Sequence, residues 1–136
     1  MSVFKDIEEA REYFKGEKFA TSAGMHIDEV TDDYVICSVT IDDKHRNALG
    51  GVMGGAIFTL ADFAFAVLVN NIHRPSVAQQ ISINYLNAPK GETMIAKAVC
   101  KKDGRNSTVV NVDVYDENDR AIAQFVGTGF KLTPKN

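Results

Sequence analysis

Apolar residues recur along this chain in two rhythms, and the change of rhythm marks its architecture. Phe4, Ile7, Ala10 and Phe14 stand at helical spacing, with acidic residues early and Lys15-Gly16 closing the run. That pattern predicts an amphipathic helix over residues 3–15. Residues 24–30 and 34–41 read as strands parted by the polar turn Thr31-Asp32-Asp33. A polar, glycine-rich stretch over 42–51 then leads into residues 53–71, the longest predicted helix. Beyond it the pattern alternates with period two over 77–86, 93–100, 109–115 and 121–132. Short turns part these four strands, so the chain predicts an antiparallel meander.

The central helix has no polar face. Ile57, Phe58, Leu60, Ala61, Phe63, Ala64, Phe65, Val67 and Leu68 cover it on every side, and such a helix must be buried all round. An antiparallel sheet wrapped around it meets most of that demand. One sheet covers only part of a helix, so a second copy of the chain is expected to cover the rest. The fold class is therefore α+β: one domain over residues 1–136, a sheet around one long helix, with a short N-terminal helix.

Composition narrows the function classes. The chain has 136 residues, 45% of them apolar, with 15 Lys and Arg against 18 Asp and Glu for a net charge of −3. No basic excess marks a nucleic-acid surface. Charges interrupt the N-terminal segment, so it does not read as a secretory signal. The best membrane candidate, residues 56–69, is shorter than the roughly 20 apolar residues a span requires and contains Asp62. A cytoplasmic location and reduced thiols at Cys37 and Cys100 are the corresponding expectations.

Asp62 is the anomaly. A carboxylate in an apolar helix needs a partner or a task; an edge position facing solvent or a structural ion pair is the plain alternative. The preceding segment, His45-Arg46-Asn47-Ala48-Leu49-Gly50-Gly51-Val52-Met53-Gly54-Gly55, adds a candidate task. Glycines at a helix start let a ligand approach the backbone. First-turn N–H groups lack intrahelical partners and carry the positive end of the helix dipole, so they can polarise a carbonyl. Gly54 and Asp62 are separated by roughly 12 Å along one helix, at 1.5 Å per residue. A base must come within about 3 Å of its target or act through one water. One chain cannot easily aim both groups at one carbonyl; two antiparallel helices across a two-fold axis can.

The pattern Asn47-x-x-Gly50-x-x-x-Gly54-Gly55-x-x-x-x-Leu60-x-Asp62 resembles the phenylacetate-pathway (PaaI-type) branch of the hotdog-fold acyl-CoA thioesterases. The similarity continues through Ile81-Ser82-Ile83-Asn84-Tyr85-Leu86, Gly104-Arg105 and Gly127-Thr128-Gly129-Phe130. The resemblance implies that Asp62 activates water or attacks the thioester, that the Gly54 N–H polarises its carbonyl from the other subunit, and that Asn47 positions water or thioester. It also implies a homodimer or dimer of dimers, with coenzyme A entering as part of the substrate and no separate cofactor or metal. Gly55, Met53, Phe58, Arg105, Ser107 and Lys90 are the expected substrate-binding residues, Arg105 as the candidate partner of a CoA phosphate. The chain departs from the family where Met53 replaces the usual His before the glycines, and where Ala66 stands in place of the Ser or Thr of some relatives.

Other polar residues offer less. His26, His45 and His73 lack metal-ligand spacing; His45 reads as a surface loop residue, with support of Asn47 as the alternative. Ser82 and Ser107 have no nucleophile-elbow context. Two rival functions remain open. A hydratase on the same fold wants a His paired with a carboxylate; the helix around Asp62 carries none, and the nearest candidate is His45, in the loop before it. A non-catalytic acyl-CoA sensor wants an output element such as a helix-turn-helix, for which no segment fits.

Overall fold

The computed structural model describes residues 2–134. Helix α1 (Ile7–Tyr13) is capped by Asp6, whose side chain accepts from the Glu9 N–H. A 3₁₀ turn (Phe14–Gly16) and a second short helix, α2 (Lys18–Ser22), follow. Strands β1 (His26–Val30) and β2 (Tyr34–Thr40) precede the 3₁₀ turn Asp43–His45 and helix α3 (Gly54–Ile72). Strands β3 (Ser76–Tyr85), β4 (Thr93–Asp103), β5 (Ser107–Asp116) and β6 (Ala121–Lys131) complete the fold. The helix expected over 3–15 is thus shorter at its start and runs on, through the 3₁₀ turn, into α2.

The six strands form one antiparallel sheet in the order β1-β2-β4-β5-β6-β3. This corrects the four-strand meander: only β4-β5-β6 is one, and β3 pairs with β6 at the far edge. Helix α3 carries the chain across the sheet, so β3 emerges at the opposite edge, and residues 86–92 must cross back over the ends of β6 and β5. The Asp116 carboxylate holds that crossing, accepting from the Lys90 and Gly91 N–H groups at 3.1 and 3.2 Å. The Glu117 side chain accepts from the Glu92 and Thr93 N–H groups. Such crossings have no local sequence signal, because their partners lie some 25 residues away.

The sheet's inner face packs on α3. Met94, Ala96 and Ala98 of β4 and Val110, Val112 and Val114 of β5 are fully enclosed, in the alternation that period two dictates. Gly127 and Gly129 of β6 let the helix approach closely. A Cβ at Gly127 would stand 2.5 Å from the Phe65 ring, and one at Gly129 3.0 Å from Val69. Asn71 fastens the N-terminal arm to the end of α3, accepting from Val3 at its backbone carbonyl and from Phe4 at its side chain.

At 19 residues α3 is long and apolar enough to cross a membrane, longer than the 56–69 window considered from sequence. Two-thirds of its apolar 18-residue window is buried inside the protein, as in a core helix. One stripe is less covered: Gly55, Phe58, Thr59, Asp62 and Ala66. These positions recur at helical spacing, so the anomalous acid lies on the open side. Cys37 and Cys100 are separate free thiols.

Candidate active site

The segment before α3 is built by side chain–backbone bonds. Asp42 accepts from the Lys44 N–H, and its own N–H donates to His45 Nδ1 at 3.0 Å. That assigns the ring proton to Nε2, which donates to the Ala23 carbonyl at 2.7 Å. His45 is only 2% exposed. The surface loop position expected for it is therefore wrong: it pins the end of α2 to the loop with both nitrogens engaged.

Asn47 forms the next turn. Its Oδ1 accepts from the Leu49 and Gly51 N–H groups at 3.0 and 3.1 Å, and Gly50 supplies the left-handed backbone at φ +87°. The acceptor of Asn47 is consumed by this turn, so its Nδ2 is the group it can offer a ligand. At the tip Leu49 stands 96% exposed.

Met53 occupies the N-cap of α3 and its side chain makes no capping hydrogen bond. Its backbone carbonyl accepts from the Ala56 and Ile57 N–H groups, which leaves the first-turn N–H groups of Gly54 and Gly55 without intrahelical partners. Beside them opens a cavity of about 760 Å³ whose walls include Met53, Gly55, Phe58, Thr59, Phe19 and Met25. It is a mostly apolar chamber next to a patch of positive backbone potential.

Asp62 lies two helical turns further on, in a second cavity of about 320 Å³ shared with Glu17, Phe65, Ala66 and the start of β3. Among the described residues no cation pairs with it. Burial, and secondarily the Glu17 charge, push its carboxyl above the ordinary carboxylate range. The ion-pair alternative therefore finds no partner, and the half-buried acid sits where a solvent-facing edge and an apolar wall meet.

The expected residues divide between the two ends of the sheet. Gly54 packs on Tyr85, the last residue of β3, and Lys90 is tied through its N–H to Asp116 at the close of β5. Arg105 and Ser107 lie at the other end, where β5 begins. The Asp62 cavity reaches toward that end, since it includes Val77, which pairs with Phe130, itself the partner of Ser107. Ten residues of β5 separate the ends, roughly 30 Å. One chain thus brings together Met53, Gly54, Gly55 and Phe58, and separately holds Asp62, with Asn47 on the exposed loop between β2 and α3.

Three contributors escape sequence reasoning. Glu17 follows the apparent end of the first helix and carries no motif. Phe19, 80% exposed on α2, belongs to a helix too short to show periodicity. Tyr85 falls inside the quoted strand motif, but nothing in its spacing indicates that its hydroxyl reaches Gly54.

Comparison with known proteins converges on one family. Residues 49–123, more than half of the chain, match the thioesterase superfamily. The chain is 31% identical to acyl-coenzyme A thioesterase 13 of Homo sapiens over 66% of its own length and 67% of that protein. The structure of the Escherichia coli PaaI protein of the phenylacetic acid degradation operon superposes with a TM-score of 0.86 at 22% identity, covering 93% of this chain and 92% of that one. A hypothetical thioesterase of Streptococcus pneumoniae TIGR4, solved with coenzyme A, superposes with a TM-score of 0.81 at 28% identity, covering 90% and 99%. The chain belongs to the thioesterase superfamily, as a thioester hydrolase with the hotdog fold of its PaaI-type members.

Proposed function

We propose that this protein hydrolyses acyl-CoA thioesters to a free acid and coenzyme A in the cytoplasm, without metal or cofactor, at a site shared between two chains. The observation that carries the reading is the pairing, on the open stripe of α3, of an uncapped helix N-terminus beside an apolar chamber with an unpaired half-buried carboxylate. Coenzyme A in the pneumococcal neighbour and the acyl-coenzyme A substrate named for the human relative support the substrate class.

In this mechanism the Gly54 N–H, with Gly55 beside it, polarises the thioester carbonyl. Asp62 takes a proton from water as the water oxygen bonds to the carbonyl carbon. The oxyanion is held by the first-turn N–H groups. Collapse breaks the C–S bond, and Asp62 returns its proton to the departing thiolate, which leaves as coenzyme A. Asn47 offers its Nδ2 to water or thioester. Met53 and Phe58 line the acyl group. Arg105, Ser107 and Lys90 bind the CoA portion, with contributions from both chains. The hydratase alternative is disfavoured by His45, whose ring nitrogens are both engaged.

The two-chain arrangement draws on the β3 edge. Its ten residues present unpaired backbone and exposed Val77 and Tyr85, an edge that natural proteins rarely leave open. An antiparallel pairing of two such edges brings the helix N-terminus of one chain toward Asp62 of the other, as a homodimer or dimer of dimers. The test is a panel of short, long and aromatic acyl-CoAs assayed for free thiol, with sedimentation to measure assembly. Turnover of at least one member by an oligomer is expected. Tight acyl-CoA binding with no thiol release would make it a binding protein instead.

A further inference from the structure

Two side chains donate to first-turn carbonyls of α3, and only one of them acts on a peptide group that is still free to bind a ligand. Thr59 Oγ1 donates to the Gly55 carbonyl at 2.7 Å. That carbonyl shares its peptide unit with the Ala56 N–H, which is already spent on the Met53 carbonyl at 3.1 Å. Tyr85 Oη donates to the Gly54 carbonyl at 3.0 Å. That carbonyl shares its unit with the Gly55 N–H, which lies in the first turn without an intrahelical partner and whose residue lines the 760 Å³ chamber. A hydrogen bond accepted at one end of a peptide group strengthens the donor at the other, by about 10–30% per bond.

The contact is also steric. A Cβ at Gly54 would stand 3.1 Å from the Tyr85 ring and 3.2 Å from its hydroxyl. The ring therefore covers Gly54 closely, while Gly55, exposed and lining the chamber, has the flexible Met53 methyl for its neighbour, 2.9 Å from where a Cβ would stand. Tyr85 itself borders both this chamber and a neighbouring one of about 390 Å³ that includes Gly54 and Asn87. It stands where β3 ends and the sheet meets the helix N-terminus.

We propose that Tyr85 is a positioning residue of the thioester site: its hydroxyl fixes and polarises the Gly54–Gly55 peptide so that the Gly55 N–H presents a strengthened donor to the thioester oxygen in the apolar chamber. This role rests on the thioesterase reading above and adds to it Tyr85, the side chain that strengthens one of its two backbone donors. The interaction matters most when charge builds on the oxygen, so its loss is felt in kcat rather than in substrate affinity.

Tyr85→Phe keeps the ring against Gly54 and removes only the donor. The full-length variant is compared with wild type in two measurements. The first is steady-state kinetics on an acyl-CoA that the wild type turns over. The second is the amide proton shift of Gly55 in ¹⁵N-glycine-labelled protein, its peak assigned by its loss in Gly55→Ala. The expected result is a fall in kcat of about twofold to eightfold, which is about 10–30% of the free energy behind the 10² to 10³ that an oxyanion donor supplies, with KM within about twofold. The Gly55 amide is expected to move upfield while the glycines of β6 stay in place. An unmoved Gly55 amide, or a raised KM at unchanged kcat, would reduce Tyr85 to a packing residue. A wild type that releases thiol from no acyl-CoA sinks the thioesterase reading and this role with it. An active wild type with an unaffected Tyr85→Phe sinks only the role.

Discussion

Glu17 and Asp62 share the walls of one cavity, two carboxylates brought together from the α1–α2 junction and the middle of α3. Burial is the larger cause of the raised Asp62 pKa and the Glu17 charge the smaller. A base with a raised pKa loses activity at a higher pH than an ordinary carboxylate. The acid limb of kcat/KM should therefore fall at a midpoint above about 4, the unperturbed Asp value. Glu17→Gln removes the smaller cause, so the midpoint should move down, but not to the unperturbed value. A pH–rate profile of both proteins checks this. An unmoved limb would show that Glu17 does not act on the base.

Asp62→Asn should cost about 10² to 10⁴ in rate, the usual loss for a general base. It should also stabilise the fold at neutral pH, because it removes an unpaired, partly buried charge. The sign follows from linkage. A carboxyl whose folded pKa is raised contributes stability below its unfolded pKa, and that contribution is lost as pH rises through the folded value. The variant's Tm advantage should thus be present at pH 7 and vanish below about pH 4. Thermal melts at the two pH values, beside a thiol-release assay, measure both halves. Full activity in a well-folded variant would remove Asp62 from the mechanism.

Chains defective in different halves of the site should rescue one another. Gly54→Pro deletes the first-turn N–H at a position whose backbone suits proline, though the Tyr85 ring must yield slightly. Asp62→Asn deletes the base. Each variant is first checked for folding, and the two are then mixed and allowed to exchange subunits. Heterodimers should recover one intact site, and activity should rise well above either variant alone. No recovery despite exchange, followed by mass spectrometry of labelled chains, would mean that each site lies within one chain.

The sequence made the sheet and its helix legible because both are written in local periodicity. Val110, Val112 and Val114 alternate as a half-buried strand must, and α3 shows no polar face. The pairing of β3 with β6 was not legible, since it depends on where a 19-residue helix delivers the chain. Asp62 was legible because a charge in an apolar run is an anomaly in one dimension. Tyr85 and Glu17 were not: each acts through a residue distant in sequence, on Gly54 in one case and on Asp62 in the other. His45 misled for a related reason. A loop histidine looks exposed until the Ala23 carbonyl, 22 residues earlier, is found against its ring.

Met53 stands where the resemblance to PaaI-type thioesterases implies a histidine, and its position in the structure limits what it can do. Its side chain is 41% exposed, lines the larger chamber and caps nothing. A thioether is a weak acceptor and donates no hydrogen bond, so it neither stabilises an oxyanion nor moves a proton. The electrophilic work then falls to the backbone N–H groups of Gly54 and Gly55, and Met53 shapes the acyl wall. Met53→Ala should lower kcat less than about tenfold, under about 1.4 kcal/mol, and raise KM as apolar contact is lost. Removal of a true oxyanion donor costs on the order of 10² to 10³ in kcat. Met53→His adds a donor at the open N-cap and should raise kcat if a side-chain donor is what this site lacks. Steady-state kinetics on one acyl-CoA, with oligomeric state verified for each variant, separate these outcomes. A hundredfold fall in kcat for Met53→Ala at unchanged assembly would show that the glycine N–H groups are not the catalytic centre.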